Sequence, residues 1–150
     1  DHFAALSRLL ADKSGLRVIL FGGPADRSAA QKLVRAGADN IADLTGKTEL
    51  DELAGIISLC RVFIANDSGP LHLAAALGVP TVGLFGSSDP AATAPRGDQV
   101  RVIYKNIPCS PCLRPVCPRD FQCMLSITPE EVFSQTASLL RSSVDDGTGE

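Results

Sequence analysis

Five short apolar runs constrain this chain more than anything else in it: Arg17–Phe21, Asn40–Leu44, Val62–Ala65, Thr81–Phe85 and Val100–Tyr104. Each is nearly continuous in hydrophobic character, with Asn40–Leu44 the weakest, and each is separated from the next by a helical pattern. Strands without polar alternation need cover on both faces, and strands alternating with helices form a parallel sheet. The expected class is therefore α/β, a three-layer sandwich around a parallel sheet. The helical stripes are equally readable. Phe3, Leu6, Leu9 and Leu10 form one, closed by Ser14-Gly15, and Asp26–Ala36 forms a polar-faced second, stopped by Gly37. Leu50, Leu53, Ala54 and Ile57 hold an i, i+3, i+4, i+7 spacing behind Thr48 and Asp51, which resemble a capping box. Thr128-Pro129-Glu130-Glu131 predicts a capped helix whose apolar side is Val132, Phe133, Ala137, Leu139 and Leu140. Ser142–Glu150 is polar and expected to fray.

In open parallel sheets, ligands bind beyond the carboxyl ends of the strands. The breaks Gly22-Gly23-Pro24, Asn66–Gly69 and Gly86–Asp89 all fall there and are expected to converge on one rim. The sharpest is Asn66-Asp67-Ser68-Gly69-Pro70-Leu71-His72-Leu73-Ala74-Ala75-Ala76-Leu77-Gly78-Val79-Pro80. Gly69 permits a tight turn, and Pro70 occupies the expected first helical position, where a missing N–H costs nothing. Gly78 and Pro80 end the helix. Free backbone N–H groups and a partial positive charge at its start make a phosphate seat, rimmed by Asp67, Ser68 and His72. The plain alternative is a helix cap, for which Asp and Ser are common residues.

Composition narrows the functions. The 150 residues are enough for one domain with a real core. A net charge of −3 with 5% aromatic residues provides neither a phosphate-backbone footprint nor a stacking surface for nucleic acid. No apolar run approaches the length of a membrane span. Five cysteines in 150 residues are too sparse for a secreted disulfide scaffold. The chain begins at Asp1, within a helical pattern, and reads as a piece of a longer protein.

The remaining motifs are less specific. Gly22–Asp26 matches neither G-x-G-x-x-G nor G-x-x-x-x-G-K-[ST], which argues against a dinucleotide fold or a P-loop. Asp26 either accepts from a ribose or occupies a helix's first turn. Cys109, Cys112, Cys117 and Cys123 form C-x2-C-x4-C-x5-C within the Pro-rich segment 105–126. Four thiolates so close suit a tetrahedral metal site, zinc above others, though only one CxxC knuckle is present. Reversible disulfides and a merely crowded loop are the other readings. Cys60 reads as a core thiol and His2 as a surface residue. Asp67, Ser68 and His72 lie within one turn, so they are expected to converge on a ligand rather than relay a proton.

Taken together, Phe21-Gly22-Gly23-Pro24, Leu44-Thr45-Gly46-Lys47-Thr48, Asn66–His72, Gly83-Leu84-Phe85-Gly86 and Ile127-Thr128-Pro129-Glu130 resemble the C-terminal half of bacterial lipopolysaccharide heptosyltransferases, glycosyltransferase family 9. The resemblance runs from about Asp1 to Leu140, and the Cys loop, ending Gln122-Cys123-Met124, resembles one subgroup. It implies one Rossmann-like half of a GT-B enzyme, residues 1–141 binding the nucleotide-sugar and 142–150 forming a tail. The implied donor is ADP-L-glycero-D-manno-heptose, transferred with inversion to the lipopolysaccharide inner core at the cytoplasmic face of the inner membrane. On matching positions, Asp67 would contact the sugar, and the Gly69 N–H and His72 the diphosphate. Asp26 would face the adenosine, and Lys47 and Thr48 the nucleotide. The catalytic base would lie in an N-terminal acceptor domain that this chain lacks, together with the first strand and phosphate-contacting loop of its own domain. No cofactor is implied for transfer, and peripheral membrane contact is implied for the full-length protein. Two other classes stay open: another GT-B nucleotide-sugar enzyme (a hexosyltransferase or a UDP-sugar epimerase), and a zinc-stabilised interaction domain.

Overall fold

The computed structural model describes residues 2–37 and 39–145. They fall into two compact units, residues 1–53 and 54–150, each treated below on its own.

In the first unit, α1 (His2–Ser14) leads into β1 (Val18–Leu20), a 3-10 turn (Pro24–Asp26), α2 (Arg27–Ala36) and β2 (Ile41–Asp43). The two strands pair in parallel, Val18 opposite Ile41 and Leu20 opposite Asp43. The apolar stripe of α1 works as its spacing predicts: Ala4, Leu6 and Leu10 are buried, joined by Ala30 of α2. Ile19 and its cross-strand neighbour Ala42 are exposed, while α1 packs on β1 and α2 on β2.

The helix α3 (Leu50–Ser58) spans the division between the units. Its cap lies one residue beyond the expected Thr48/Asp51 box. The Glu52 carboxylate accepts the Glu49 N–H at 2.9 Å while the Glu49 carbonyl accepts from Leu53. Glutamate reaches the preceding turn where the shorter Asp51 does not.

The second unit carries β3 (Phe63–Asn66), α4 (Gly69–Ala76), β4 (Thr81–Phe85), α5 (Pro90–Thr93), β5 (Val100–Tyr104), α6 (Gln122–Leu125) and α7 (Pro129–Asp145). Its sheet is parallel with order β3-β4-β5. The central strand β4 is buried at all five positions, as a continuous apolar run requires. Around it pack Ile57, Leu71, Ala74, Ile103, Ile127, Val132 and Leu139, all buried. Gly83 interrupts β4 for a packing reason. A Cβ there would lie 2.8 Å from the Phe85 ring and 3.1 Å from Leu71 of α4.

Two features of the helices depart from expectation. Pro70 is the second helical residue, because Ser68 is the cap and Gly69 opens α4. At the start of α7 the Thr128 hydroxyl accepts the Glu131 N–H at 3.2 Å, but the Glu131 carboxylate turns to Lys105 Nζ at 2.7 Å instead of completing the box. A full ionic partner outcompetes one amide. α7 continues through Asp145, so 142–145 are helical rather than frayed; the tail beyond, 146–150, lies outside the described residues.

Candidate functional site

The turn after β3 is built by three separate constraints. The Asp67 N–H donates to the Leu84 carbonyl at 3.2 Å, extending the β3–β4 ladder one residue past the strand. Ser68 stays extended, φ −161° and ψ 161°, which turns the chain sharply into α4. The far end of α4 is sealed by a Schellman motif: Gly78 at φ +75° donates to Ala75, and Val79 donates to Ala74. The helix is thus held at a fixed angle, its N-terminus beyond the carboxyl end of β3.

Asp67 and His72 face each other across this N-terminus, Asp67 Oδ1 to His72 Nε2 at 3.5 Å. That separation is electrostatic contact and not a well-formed hydrogen bond. The other carboxylate oxygen accepts the Thr93 hydroxyl of α5 at 3.2 Å, and Thr93 shares that hydroxyl with the Asp89 carbonyl at 3.1 Å. Asp89 itself caps α5, its carboxylate accepting the Ala91 N–H at 2.9 Å. The carboxylate of Asp67 is steered from two sides and keeps lone pairs for hydroxyl groups of a ligand. The Ser68 hydroxyl makes no cap hydrogen bond, so the plain capping role fits its backbone and not its side chain. Gly69 is exposed, and its N–H belongs to the first turn, where no intrahelical acceptor exists. His72 is 46% exposed at the side chain and Asp67 22%, an accessible donor beside a half-buried acceptor. The site can bind an anion through amides and imidazole, and a polyol through the carboxylate. Thr93 went unread in the sequence, although Asp89-Pro90 is the start signal that finds its helix.

In the first unit the loops after β1 and β2 are laced together. Gly46 donates to the Gly22 carbonyl at 2.8 Å, and the Arg27 guanidinium donates to the Gly46 carbonyl at 2.9 Å. Gly46 adopts φ +66° with Arg27 and the Pro24 backbone against it, so a side chain there meets both strain and contact. Asp26 is occupied locally: its carboxylate accepts the Gly23 N–H at 2.8 Å, while its own N–H donates to the Gly23 carbonyl at 3.0 Å. Of its two sequence readings, the first-turn role is the one with partners here. Lys47 Nζ folds back onto the Asp43 carbonyl at 2.6 Å. Thr48 follows it, half-buried. The buried Thr45 donates through its side chain and its N–H to Asp43, and these bonds, with Lys47 and Arg27 nearby, hold the Asp43 carboxyl below its ordinary 3.8.

The cysteine loop gives the zinc expectation no support. Among the described residues no three His, Cys, Asp or Glu side chains converge as metal ligands, and Cys109, Cys112, Cys117 and Cys123 are all free thiols. Local structure uses two of them differently. Cys117 Sγ accepts the N–H groups of Arg119 (3.4 Å) and Phe121 (3.2 Å), serving as the acceptor that closes a turn. Cys123 is buried beside Gly86, where a Cβ would lie 3.0 Å from its sulfur. Close spacing in sequence did not become a cage. Cys60 is half-buried and not the core thiol expected: its Sγ donates to the Ile56 carbonyl at 3.4 Å, and the partial burial pushes its pKa up.

With this geometry in hand, known proteins supply a frame. Residues 1–121 match the family Glycosyltransferase family 9 (heptosyltransferase). Lipopolysaccharide heptosyltransferase 2 of Escherichia coli K12 is 33% identical over 144 residues, covering 93% of this chain and 41% of that protein. Lipooligosaccharide heptosyltransferase 2 of Campylobacter jejuni is 31% identical over 132 residues, covering 84% of this chain and 41% of that one. The solved structure of E. coli ADP-heptose lipopolysaccharide heptosyltransferase II superposes with a TM-score of 0.80 at 32% identity, over 95% of this chain and 41% of that chain. A family 9 glycosyltransferase from Veillonella parvula gives 0.79 at 27% identity. The chain therefore spans about two-fifths of the length of these relatives. Its parallel sheets flanked by helices are the α/β fold of a GT-B heptosyltransferase. By sequence and by fold, the chain belongs to glycosyltransferase family 9, the heptosyltransferases.

Proposed function

We propose that this chain is the donor-binding moiety of an inverting heptosyltransferase, holding ADP-heptose and, in the full-length protein, transferring heptose to the lipopolysaccharide inner core. One observation carries the reading: a carboxylate and an imidazole set 3.5 Å apart at the amide-rich start of α4, beyond the end of β3. Asp67 accepts from sugar hydroxyls. The Gly69 N–H, with His72 and the Ser68 turn, holds the diphosphate. Asp26, Lys47 and Thr48 serve the nucleotide, a role their local bonds leave open to exchange on binding.

The chemistry follows from charge. The acceptor oxygen attacks the anomeric carbon as the bond to the diphosphate oxygen breaks, and that electron pair leaves with the diphosphate. A donor aimed at developing charge contributes most in the transition state, and losing one costs about 3 kcal/mol. The helix terminus adds about 0.3–1 kcal/mol for an exposed anion and up to ~2 when partly buried. No cofactor enters the transfer. The base that takes the acceptor proton belongs to the acceptor domain, so the isolated chain binds donor and does not turn over. No described helix is long and apolar enough to cross a membrane. The reaction is placed at the cytoplasmic face of the inner membrane, reached through peripheral contact.

Calorimetry with ADP, ADP-mannose and UDP tests the assignment. Tighter binding of ADP and ADP-mannose than of UDP supports it. A clear preference for UDP would transfer the chain to another GT-B nucleotide-sugar class, and sugar transfer by the chain alone would refute the division of labour.

A further inference from the structure

The segment between β5 and α7 carries an apolar surface that the donor site does not use. Leu113, Val116, Phe121 and Leu125 are exposed at 75%, 77%, 60% and 59%, all within 13 residues. These side chains do not hang from a slack loop. The Cys112 and Leu113 N–H groups both donate to the Ser87 carbonyl, at 3.1 and 2.8 Å, and the Ser110 hydroxyl donates to the Gly86 carbonyl. Cys123 and Met124 pack against Gly86 from the other end of the segment. Leu113 and Phe121 stand in the left-handed region, φ 53° and 54°, a conformation that apolar residues rarely adopt. A tethered backbone thus holds two large apolar side chains outward against their own preference.

Two further observations identify what such a surface meets. First, much of the backbone N–H of this segment is paired within the chain. Pro111, Pro115 and Pro118 have no N–H, and those of Ser110, Cys112, Leu113, Arg119, Phe121, Gln122, Met124, Leu125 and Ser126 already have acceptors within the chain. Unpaired donors keep irregular backbone out of the hydrocarbon region, and each pair made within the chain lowers that cost. Second, the charges on the segment favour an anionic partner. Among the described residues Arg114 and Arg119 form no ion pair, and the segment carries one carboxylate, Asp120; Lys105 at the segment's start is neutralised by Glu131. Arg119 and Leu125 also line one hollow of about 360 Å³, with Ile107, Pro108 and Gln122, so cation and apolar wall share a single recess. Arginine can lay its stem along apolar surface while its head stays at the level of phosphates.

We propose that residues 113–125 form a membrane-docking loop that inserts Leu113, Val116, Phe121 and Leu125 into an anionic bilayer, with Arg114 and Arg119 on lipid phosphates. The inference rests on the membrane-face placement proposed above and names the contact that makes it. A bilayer suits side chains carried on turns, which enter between lipids singly, whereas a protein partner needs a continuous face.

Sedimentation of the intact protein with vesicles tests this, using phosphatidylcholine alone and phosphatidylcholine with phosphatidylglycerol. The variant L113N/V116S/F121N removes three apolar side chains, and Asn tolerates the left-handed positions, so folding is spared. The expected result is binding to the anionic vesicles that falls at least about tenfold in this variant. A companion R114Q/R119Q should lose the preference for anionic over neutral vesicles. Equal binding by parent and triple variant overturns the proposal. So does protection of residues 113–125 from hydrogen exchange in the vesicle-free intact protein, which would mean that another domain or a second copy covers them. ADP binding by calorimetry is read in parallel. If it persists while vesicle binding is absent, only the loop assignment fails; if ADP does not bind, the donor reading fails whatever the vesicles show.

Discussion

Asp67 Oδ1 lies 3.5 Å from His72 Nε2, the two residues bracketing the first turn of α4. Their chemistries are opposite, acceptor and donor, and that predicts separable effects on a ligand with a polyol and a diphosphate. His72→Ala should weaken ADP binding by about ten- to a hundredfold, the loss expected for a hydrogen bond to a charged group. Asp67→Asn should leave ADP nearly unchanged and reduce the extra affinity for an ADP-sugar. Calorimetry on both variants with ADP and ADP-mannose checks this. Equal losses on both ligands for Asp67→Asn would mean that its carboxylate orients His72 instead of reading the sugar.

Thr93 acts through Asp67. Its hydroxyl reaches the carboxylate oxygen turned away from His72, at 3.2 Å, from a helix 26 residues later in the chain. Thr93→Val keeps the shape and deletes the donor, so the carboxylate gains freedom without losing charge. Sugar discrimination should fall severalfold, consistent with about 0.5–1.5 kcal/mol for one such bond. ADP affinity should hold, and Thr93→Ser, which restores the hydroxyl, should recover the discrimination. A variant that loses ADP and ADP-mannose alike would assign Thr93 a purely structural role.

What the sequence discloses and conceals follows from the range of the forces involved. β4 and β5 have the bounds read from their apolar runs, and α4 starts two residues before its apolar stretch, because strand hydrophobicity and helix punctuation are local signals. The turn Asp67–His72 was legible for the same reason. α5 and α6 were not, since four residues are too few to show a helical period. The Asp67–Thr93 bond and the Lys105–Glu131 pair each span 26 residues, and no local pattern encodes them. The cysteine spacing leaves its role open for a related reason. Ligand spacing states which thiols can meet, while Cys117 is taken by two nearby amides and Cys123 by the packing against Gly86.

Gly83 and Gly55 make opposite predictions for one substitution. At Gly83 an added methyl would sit 2.8 Å from the ring of Phe85 and 3.1 Å from Leu71, both fully buried and unable to retreat. Gly83→Ala should destabilise by about 1–3 kcal/mol, the usual cost of overpacking. Gly55, inside α3, has nothing within 4 Å of the same position. There Ala lowers the entropy of the unfolded chain and favours the helix, so Gly55→Ala should stabilise by roughly 0.4–1 kcal/mol. Urea unfolding of the two variants under one condition reads both signs. A stabilised Gly83→Ala would show that α4 does not rest on β4 as closely as described.

Asp43 gives the second unfolding experiment, along pH. Its carboxyl is held below 3.8 first by the Thr45 hydroxyl, then by the Thr45 N–H, and further by the charges of Lys47 and Arg27. A carboxyl with a lower pKa folded than unfolded binds its proton more tightly in the unfolded chain. Its stabilisation is therefore complete above the ordinary carboxylate value and is lost as pH falls through that value to the depressed one. Near neutrality the contribution is constant, so a pH profile between 6 and 8 should not register it. Below about pH 4 the parent should lose stability more steeply than Asp43→Asn, which has no proton to gain there. Thr45→Val should flatten the same limb by removing the side-chain donor, and it should do so without altering the charge of the folded protein at neutral pH. Urea midpoints measured from pH 3 to pH 7 on parent and both variants check this; an acid limb as steep in Asp43→Asn as in the parent would assign the acid sensitivity to other carboxylates.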